Sequence, residues 1–267
     1  MNLLLLEEAD FIAADRVVLR DRRLTHMQDV HRVAVGDSLR VGRIGGLMGS
    51  AQVLRLEPAE AELQVTLDQP PPAKLPLTLV LALPRPKMLR RVFQTIATMG
   101  VPRLVLVNSY RVEKSFWQTP FLEPETIREH LVLGLEQARD TVLPDVLIEK
   151  RFKPFVEDRL PALSAGTLGL VGHPGPYPPC PRGLDQAVTL AIGPEGGWIP
   201  YEIDFWARPA CNRCNWANAS CGSKPRSPPC FRACSEPPCA CWPSGQPDLT
   251  VVMATSQSSY RTPHSRR

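Results

Sequence analysis

The sequence predicts an α/β protein with a small β-barrel at its N-terminus. Three observations carry this expectation. Short, alternating apolar runs broken by turn residues occupy residues 1–72. Pro70-Pro71-Pro72 then forms a stiff linker. From Leu75 onward, near-continuous apolar runs alternate with stretches of helical periodicity, the pattern of strands covered by helices.

In the first part, residues 15–19 read as a strand. Val35-Gly36-Asp37 marks a turn before a strand over 38–41, and Gly45-Gly46 marks another before 49–56. Residues 61–67 alternate apolar and polar side chains, as a half-buried strand does. Short strands spaced by turn signals suggest a barrel. In the second part, 77–83 is apolar enough for a strand buried on both faces. Leu89, Val92, Phe93, Ile96 and Met99 recur at helical spacing, and Gly100 ends that helix. Residues 104–107 read as a strand, 124–139 as a helix, and 168–172 and 187–192 as two further strands. After about Asp204 the pattern stops.

A chain of 267 residues has room for one large domain or two small ones, and 43% hydrophobic with 22% charged residues is ordinary for a soluble globular protein. No apolar run reaches the length of a membrane span. Leu3 to Leu6 is apolar, but Glu7, Glu8 and Asp10 follow it and no basic lead-in or small-residue cleavage site accompanies it, so no signal peptide is predicted. The net charge of +4 is confined to one end. From Arg208 onward there are 8 Lys/Arg and 2 Asp/Glu, which leaves 23 basic and 25 acidic residues before it. Overall charge therefore gives no argument for a nucleic-acid partner. The cysteines divide in the same way: Cys180 alone precedes Arg208, and seven follow it. A reduced, cytosolic body thus carries a tail that looks like a disulfide or zinc module.

Two loops carry candidate chemistry. Ile192-Gly193-Pro194-Glu195-Gly196-Gly197 follows a predicted strand, at the end where open α/β sheets bind ligands. A tight turn before a helix is the competing reading. Gly172-His173-Pro174 ends the preceding strand in the same manner, and His173 alone is more often a structural residue than a catalyst. Glu195 is a candidate general base or, equally, a carboxylate facing a helix dipole. Arg139 suits either a phosphate or a structural ion pair.

Taken together, these motifs resemble the RsmE-type 16S ribosomal RNA (uracil-N3)-methyltransferases of the SPOUT superfamily. His26, Val30, Arg32 and Gly36-Asp37 are similar to that family's H-x-x-x-V-x-R-x-x-x-G-D. Pro86-Lys87 opens the first helix of the second part. Glu136-Gln137-Ala138-Arg139 with Pro144 resembles an E-Q-x-R…P helix, and the two loops match the first two cofactor loops. The resemblance covers residues 1 to about 204. It implies a PUA-like β-barrel for RNA docking and an α/β domain tied in a trefoil knot. It implies S-adenosylmethionine as cofactor, held by Leu170, Gly172 and His173 from one side and by Ile192, Gly193, Pro194 and Gly196 from the other. It implies methylation of a uridine N3 in 16S rRNA of the small ribosomal subunit, with Glu195 as candidate catalyst and Arg32 and Arg139 as RNA contacts. It also implies a cytoplasmic homodimer with no membrane association.

The sequence departs from the family in two places. Gln94 to Gly100 is more neutral than the family's first helix, and the third cofactor loop, L-G-x-R-I-L-R-x-E-T-A, is absent. Reading each codon of residues 211–228 one base early restores it. Trp216 then gives Leu, Ala217 gives Gly, and the remaining codons permit L-Q-P-V-Q-L-G-E-R-I-L-R-V-E-T-A-V-P. The reading frame is therefore expected to change near residues 205–210. The competing reading is a zinc module built from Cys211, Cys214, Cys221 and Cys230. The predicted organisation is a PUA-like RNA-binding barrel over 1–72, a C-terminally truncated SPOUT methyltransferase domain over 73–207 with its knot incomplete, and an out-of-frame disordered tail over 208–267. A non-catalytic RNA-binding remnant is the alternative function.

Overall fold

The structure is a computed structural model, and it describes residues 2–30, 32–175, 177–181, 183–208 and 211–214. The chain forms two compact units. One comprises the chain up to Lys74, Leu89–Pro102 and Thr119–Asp145; the other comprises Leu75–Met88, Arg103–Gln118 and the chain from Val146.

The first unit is built on six strands, β1 (Leu4–Leu6), β2 (Phe11–Ala13), β3 (Arg16–Leu19), β4 (Ser38–Arg43), β5 (Met48–Leu56) and β6 (Ala61–Gln69), in the order β1-β4-β5-β6-β3-β2. Alternation sets the buried face: Ala61, Leu63 and Val65 of β6 point inward while Gln64 and Thr66 are exposed. The sheet curls into a half-barrel around helix α1 (Arg22–Asp29), whose Leu24 and Met27 join Leu4, Leu6, Val17, Leu19, Val41, Val53 and Leu63 in one core. Helix α2 (Pro86–Thr98) stops at Gly100, whose φ of +69° only glycine adopts readily. Helix α3 (Pro124–Ala138) starts with proline at its first turn.

Sequence reading missed β1, β2 and α1. Strands of three residues are too short to show a period. Helix α1 has an apolar face only two residues wide, Leu24 and Met27, among polar neighbours.

Arg23 ties this unit together. It is 7% exposed, and its guanidinium donates to the Leu5 carbonyl at 2.6 Å, to Asp10 at 2.6 and 2.7 Å and to Asp21 at 2.7 and 2.9 Å. Asp21 also caps α1 by accepting from the Arg23 N–H at 2.8 Å. Burial works against the charge on Asp21, but Arg23 outweighs it and holds the carboxyl below its ordinary range. Glu136 of α3, 2% exposed, accepts from Arg22 at 2.8 and 3.2 Å, and its carbonyl accepts from the Asn2 and Leu3 N–H groups.

The second unit is a sheet of β7 (Leu77–Ala82), β8 (Arg103–Val107), β9 (Asp145–Glu149), β10 (Leu168–Gly172), β11 (Val188–Ile192) and β12 (Asn212–Cys214), in the order β12-β10-β11-β7-β8-β9. Every residue of β11 is buried, as the near-continuous apolar run predicts. Helix α4 (Pro200–Ala207) follows β11 and buries Ile203, Phe205 and Trp206. Trp206 lies 5.2 Å from the Trp198 ring and 5.6 Å from Phe152. Strand β12 lies inside the segment expected as tail, and it pairs in parallel with β10, Gly172 opposite Cys214. Residues 209–210 and 215–267 of that segment, which include the rest of the restored third loop and Cys221 and Cys230, lie outside the described residues.

Replacing Arg23 with Ala leaves the half-buried Asp10 without its cationic partner and the Leu5 carbonyl without its side-chain donor. It should destabilise the protein by about 3 kcal/mol, read as a lower urea midpoint. Because the Asp21 carboxyl is held low in the folded state, its contribution is complete above its ordinary pKa and is lost as pH falls through the lowered one. The wild-type advantage over Arg23→Ala should therefore shrink in acid.

Candidate active site

The parallel ladders of the second unit bring its strand ends to one edge. Gly172 stands opposite both Ile192 and Cys214, Ile192 opposite Leu81, and Ala82 opposite Val107. The segments leaving these strands hold His173, Glu195, Arg85 and Arg111, and they form the candidate site.

The loop after β11 is tightly built. Gly197 has a φ of +74°, and its N–H donates to the Pro194 carbonyl at 2.7 Å, which closes a turn around Glu195. A side chain at Gly193 would meet the Trp198 indole at 3.1 Å. Two arginines hold this loop. Arg85 Nη2 lies 2.7 Å from Glu195 Oε2, and Arg111 donates to the Gly196 carbonyl. Glu195 Oε1 is buried and has no hydrogen-bond partner among the described residues.

The loop after β10 is anchored by the His173 N–H, which donates to the Cys214 carbonyl at 3.1 Å. Burial, then the charges of Arg213 and Arg111, push the His173 pKa below its ordinary value. The imidazole is therefore neutral at pH 7. Its Nδ1 is buried without a hydrogen-bond partner among the described residues, as is Trp198 Nε1. Leu170, Gly172, Ile192 and Pro194 are buried beneath these loops.

Glu195 does not serve a helix N-terminus. Glu202 does: it is the third residue of α4 and accepts from the Ile199 N–H at 3.0 Å, and also from Ser109 Oγ at 3.3 Å and the Tyr110 N–H at 2.8 Å. Arg32 and Arg139 belong to the other unit. Both are exposed, and with φ of 48° and 56° they are the only non-glycine residues with positive φ among the described residues. Sequence reading missed Arg85 and Arg111, whose partners lie 110 and 85 residues away. It also missed Glu202, whose links to Ser109 and Tyr110 are as distant, although Pro200 and Glu202 at the start of α4 are a local helix-start signal.

Among the described residues no group of three His, Cys, Asp or Glu is placed to hold a metal, and no helix is long and apolar enough to cross a membrane. Cys211 packs against Gly169, and burial pushes its thiol up to about 11. Cys214 Sγ lies 2.7 Å from Cys180 Sγ, and that contact together with burial raises its pKa as well.

Residues 71–217 match the model of the RNA methyltransferase domain family. The chain belongs to that family. A relative of similar sequence is the ribosomal RNA small subunit methyltransferase E of Treponema pallidum (strain Nichols), 29% identical over 218 residues, which are 76% of this chain and 78% of that one. The enzyme of the same name from Synechocystis sp. (strain ATCC 27184 / PCC 6803 / Kazusa) is 26% identical over 192 residues, 71% of this chain and 62% of its own. Among solved structures, methyltransferase E of Neisseria gonorrhoeae bound to S-adenosyl methionine superposes with a TM-score of 0.65 at 19% identity, covering 80% of this chain and 88% of that one. A probable rRNA-methyltransferase of Porphyromonas gingivalis gives 0.62 at 16% identity, covering 79% and 88%. The half-barrel and the parallel sheet of this methyltransferase-family chain are thus a known fold, the one its motifs resemble.

An NMR titration should place the His173 pKa below its ordinary 6.5. A base held neutral by the fold favours unfolding once it must protonate, so His173→Asn should remove part of the stability lost as pH falls through about 6.5.

Proposed function

We propose that this chain is an S-adenosylmethionine-dependent methyltransferase acting on a uridine N3 in 16S rRNA of the small ribosomal subunit. The observation that carries the proposal is the pair of loops at one sheet edge. In a chain of the RNA methyltransferase family, they place the buried, unpartnered His173 Nδ1, Glu195 Oε1 and Trp198 Nε1 around glycine backbone. Buried polar atoms without partners are uncommon, and a polar ligand is a physical reason for them. The cofactor supplies an electrophilic methyl group. Leu170, Gly172 and His173 would hold it from one loop, and Ile192, Gly193, Pro194 and Gly196 from the other. Neutral His173 adds no positive charge near a cationic sulfonium.

The uracil N3 carries a proton that must leave as the methyl arrives. Glu195 Oε1 is the acceptor we assign, with Oε2 held by Arg85. Residues 1–72 would dock the RNA, residues 73–207 would carry the chemistry, and Arg32 and Arg139 would contact phosphates. Their positive φ supports a functional role, since such backbone is costly for arginine. The enzyme would work in the cytoplasm, as a homodimer when its C-terminus is intact.

The expected change of frame finds support at β12. The shifted frame writes Leu, Gln, Pro and Val at 211–214, and Cys211 and Cys214 are the buried positions of that segment, whereas Asn212 is exposed. Apolar side chains would therefore face inward.

Isothermal titration with S-adenosylmethionine, paired with methylation of small subunits lacking the modification, tests the proposal. A chain with the frame corrected after residue 210 should bind and methylate; failure of that chain to do either would overturn it. The chain as printed should bind at least roughly tenfold more weakly, the effect of about one lost hydrogen-bonded contact. Gly193→Ala should weaken cofactor binding by displacing Trp198, and Glu195→Gln should lower kcat while leaving cofactor affinity unchanged. Arg32→Gly and Arg139→Gly should each weaken RNA binding while stabilising the fold by up to about 1 kcal/mol, because glycine relieves the left-handed backbone. Denaturation and RNA titration of each variant would check both halves.

A further inference from the structure

We propose that Tyr110 is a base-stacking platform at the lip of the candidate active site, which takes an unpaired nucleobase of the RNA strand beside the methylated uridine. The inference rests on the function proposed above and adds to it a binding residue and the group it binds.

Tyr110 is 80% exposed, more than any other large apolar or aromatic side chain among the described residues. Its backbone, by contrast, is fixed. The Tyr110 N–H donates to Glu202 Oε1 at 2.8 Å, and the neighbouring Ser109 hydroxyl donates to Oε2. The Val112 N–H donates to the Ser109 carbonyl at 3.0 Å, closing a turn over 109–112. Trp117 Nε1 donates to Asn108 Oδ1 at 3.0 Å and steadies the start of the segment. Glu202 is 2% exposed, and a buried carboxylate is costly to desolvate. Here it fixes a turn that presents an aromatic ring to solvent. The turn fixes the point from which the ring projects, so only the two side-chain torsions of Tyr110 are ordered when a flat partner stacks on it.

The position of the turn selects the partner. Arg111, the next residue, donates to the Gly196 carbonyl, so the ring stands one residue from the contact that holds the Glu195 loop. Arg111 and Arg213 both lie near enough to His173 to disfavour its protonation, and Arg85 stands on Glu195. Arg85 is paired with Glu195 and Arg213 with Asp204 at 3.2 Å, whereas Arg111 donates to a neutral carbonyl and keeps its charge for a phosphate. A guanidinium next to an exposed ring suits a single RNA strand, the cation for the backbone and the ring for a base. A uridine whose N3 is to be methylated must be unpaired and drawn out of its stack. The adjacent base then loses a stacking partner, and Tyr110 would replace it.

The test uses the full chain and a fluorescently labelled single-stranded oligoribonucleotide spanning the target uridine. Tyr110→Ala should weaken RNA binding in anisotropy titrations on the order of tenfold, whereas Tyr110→Phe and Tyr110→Trp should stay within about twofold of wild type. Cofactor affinity by calorimetry and the thermal midpoint should not change in any of the three. A 5-iodouridine version of the oligonucleotide should cross-link to the peptide that contains Tyr110. Unchanged RNA affinity in Tyr110→Ala would overturn the inference and leave the proposed function standing. So would a fall in sedimenting mass for that variant, because the ring would then lie between two copies of the chain. If the frame-corrected chain neither binds the oligonucleotide nor methylates small subunits, the function itself fails and the inference fails with it.

Discussion

The candidate site depends on parallel register. Strands β12, β10, β11, β7 and β8 pair side by side in the same direction, so their C-terminal ends share one edge. Segments that lie far apart in the chain leave the sheet together: Arg85 after β7, Arg111 after β8, His173 after β10 and Glu195 after β11. Because Ile192 is in register with Leu81 and Gly172, a slip of β11 by one residue would turn its side chains to the opposite faces and move Glu195 away from Arg85. The chemistry is carried by loops, but its geometry is a property of the ladder.

Buried charge does a related job in both units. Arg23 binds Asp10, Asp21 and the Leu5 carbonyl; Glu136 binds Arg22 and the start of β1; Glu202 binds the turn at Tyr110 and the first turn of α4. Removing such groups from water offsets much of what the pairing returns, so their value to stability is modest while they are complete. What they supply is position. Each fastens a turn or the end of an element to a neighbouring element. The E-Q-x-R motif illustrates this: its buried acid is a structural clamp within the half-barrel unit, while its arginine ends α3 in left-handed backbone and faces solvent.

The larger elements were legible in the sequence because burial writes a period into it. The span of β10, the strand read over 61–67 that β6 extends by two residues, the helix ending at Gly100 and the buried strand read over 77–83, which ends one residue earlier, followed from apolar spacing. The short pieces were not. Strands β1 and β2 are three residues long, and β9 alternates too weakly to stand out. The two cofactor-type loops were legible for a different reason, since glycine and proline mark places where backbone must turn tightly or come close to a ligand.

The sequence by itself determined the class of the protein, the strands and helices with a strong period, and the two loops. Local patterns record local constraints, and these are all local. Only the tertiary structure decided that Glu195 is held by Arg85, that Glu202 rather than Glu195 caps the helix, that Cys211 and Cys214 face inward, and that Tyr110 is presented on a fixed turn. Apart from the helix cap, where Glu202 accepts from Ile199 three residues before it, those facts depend on pairs separated by many tens of residues, whose meeting is set by strand register and packing.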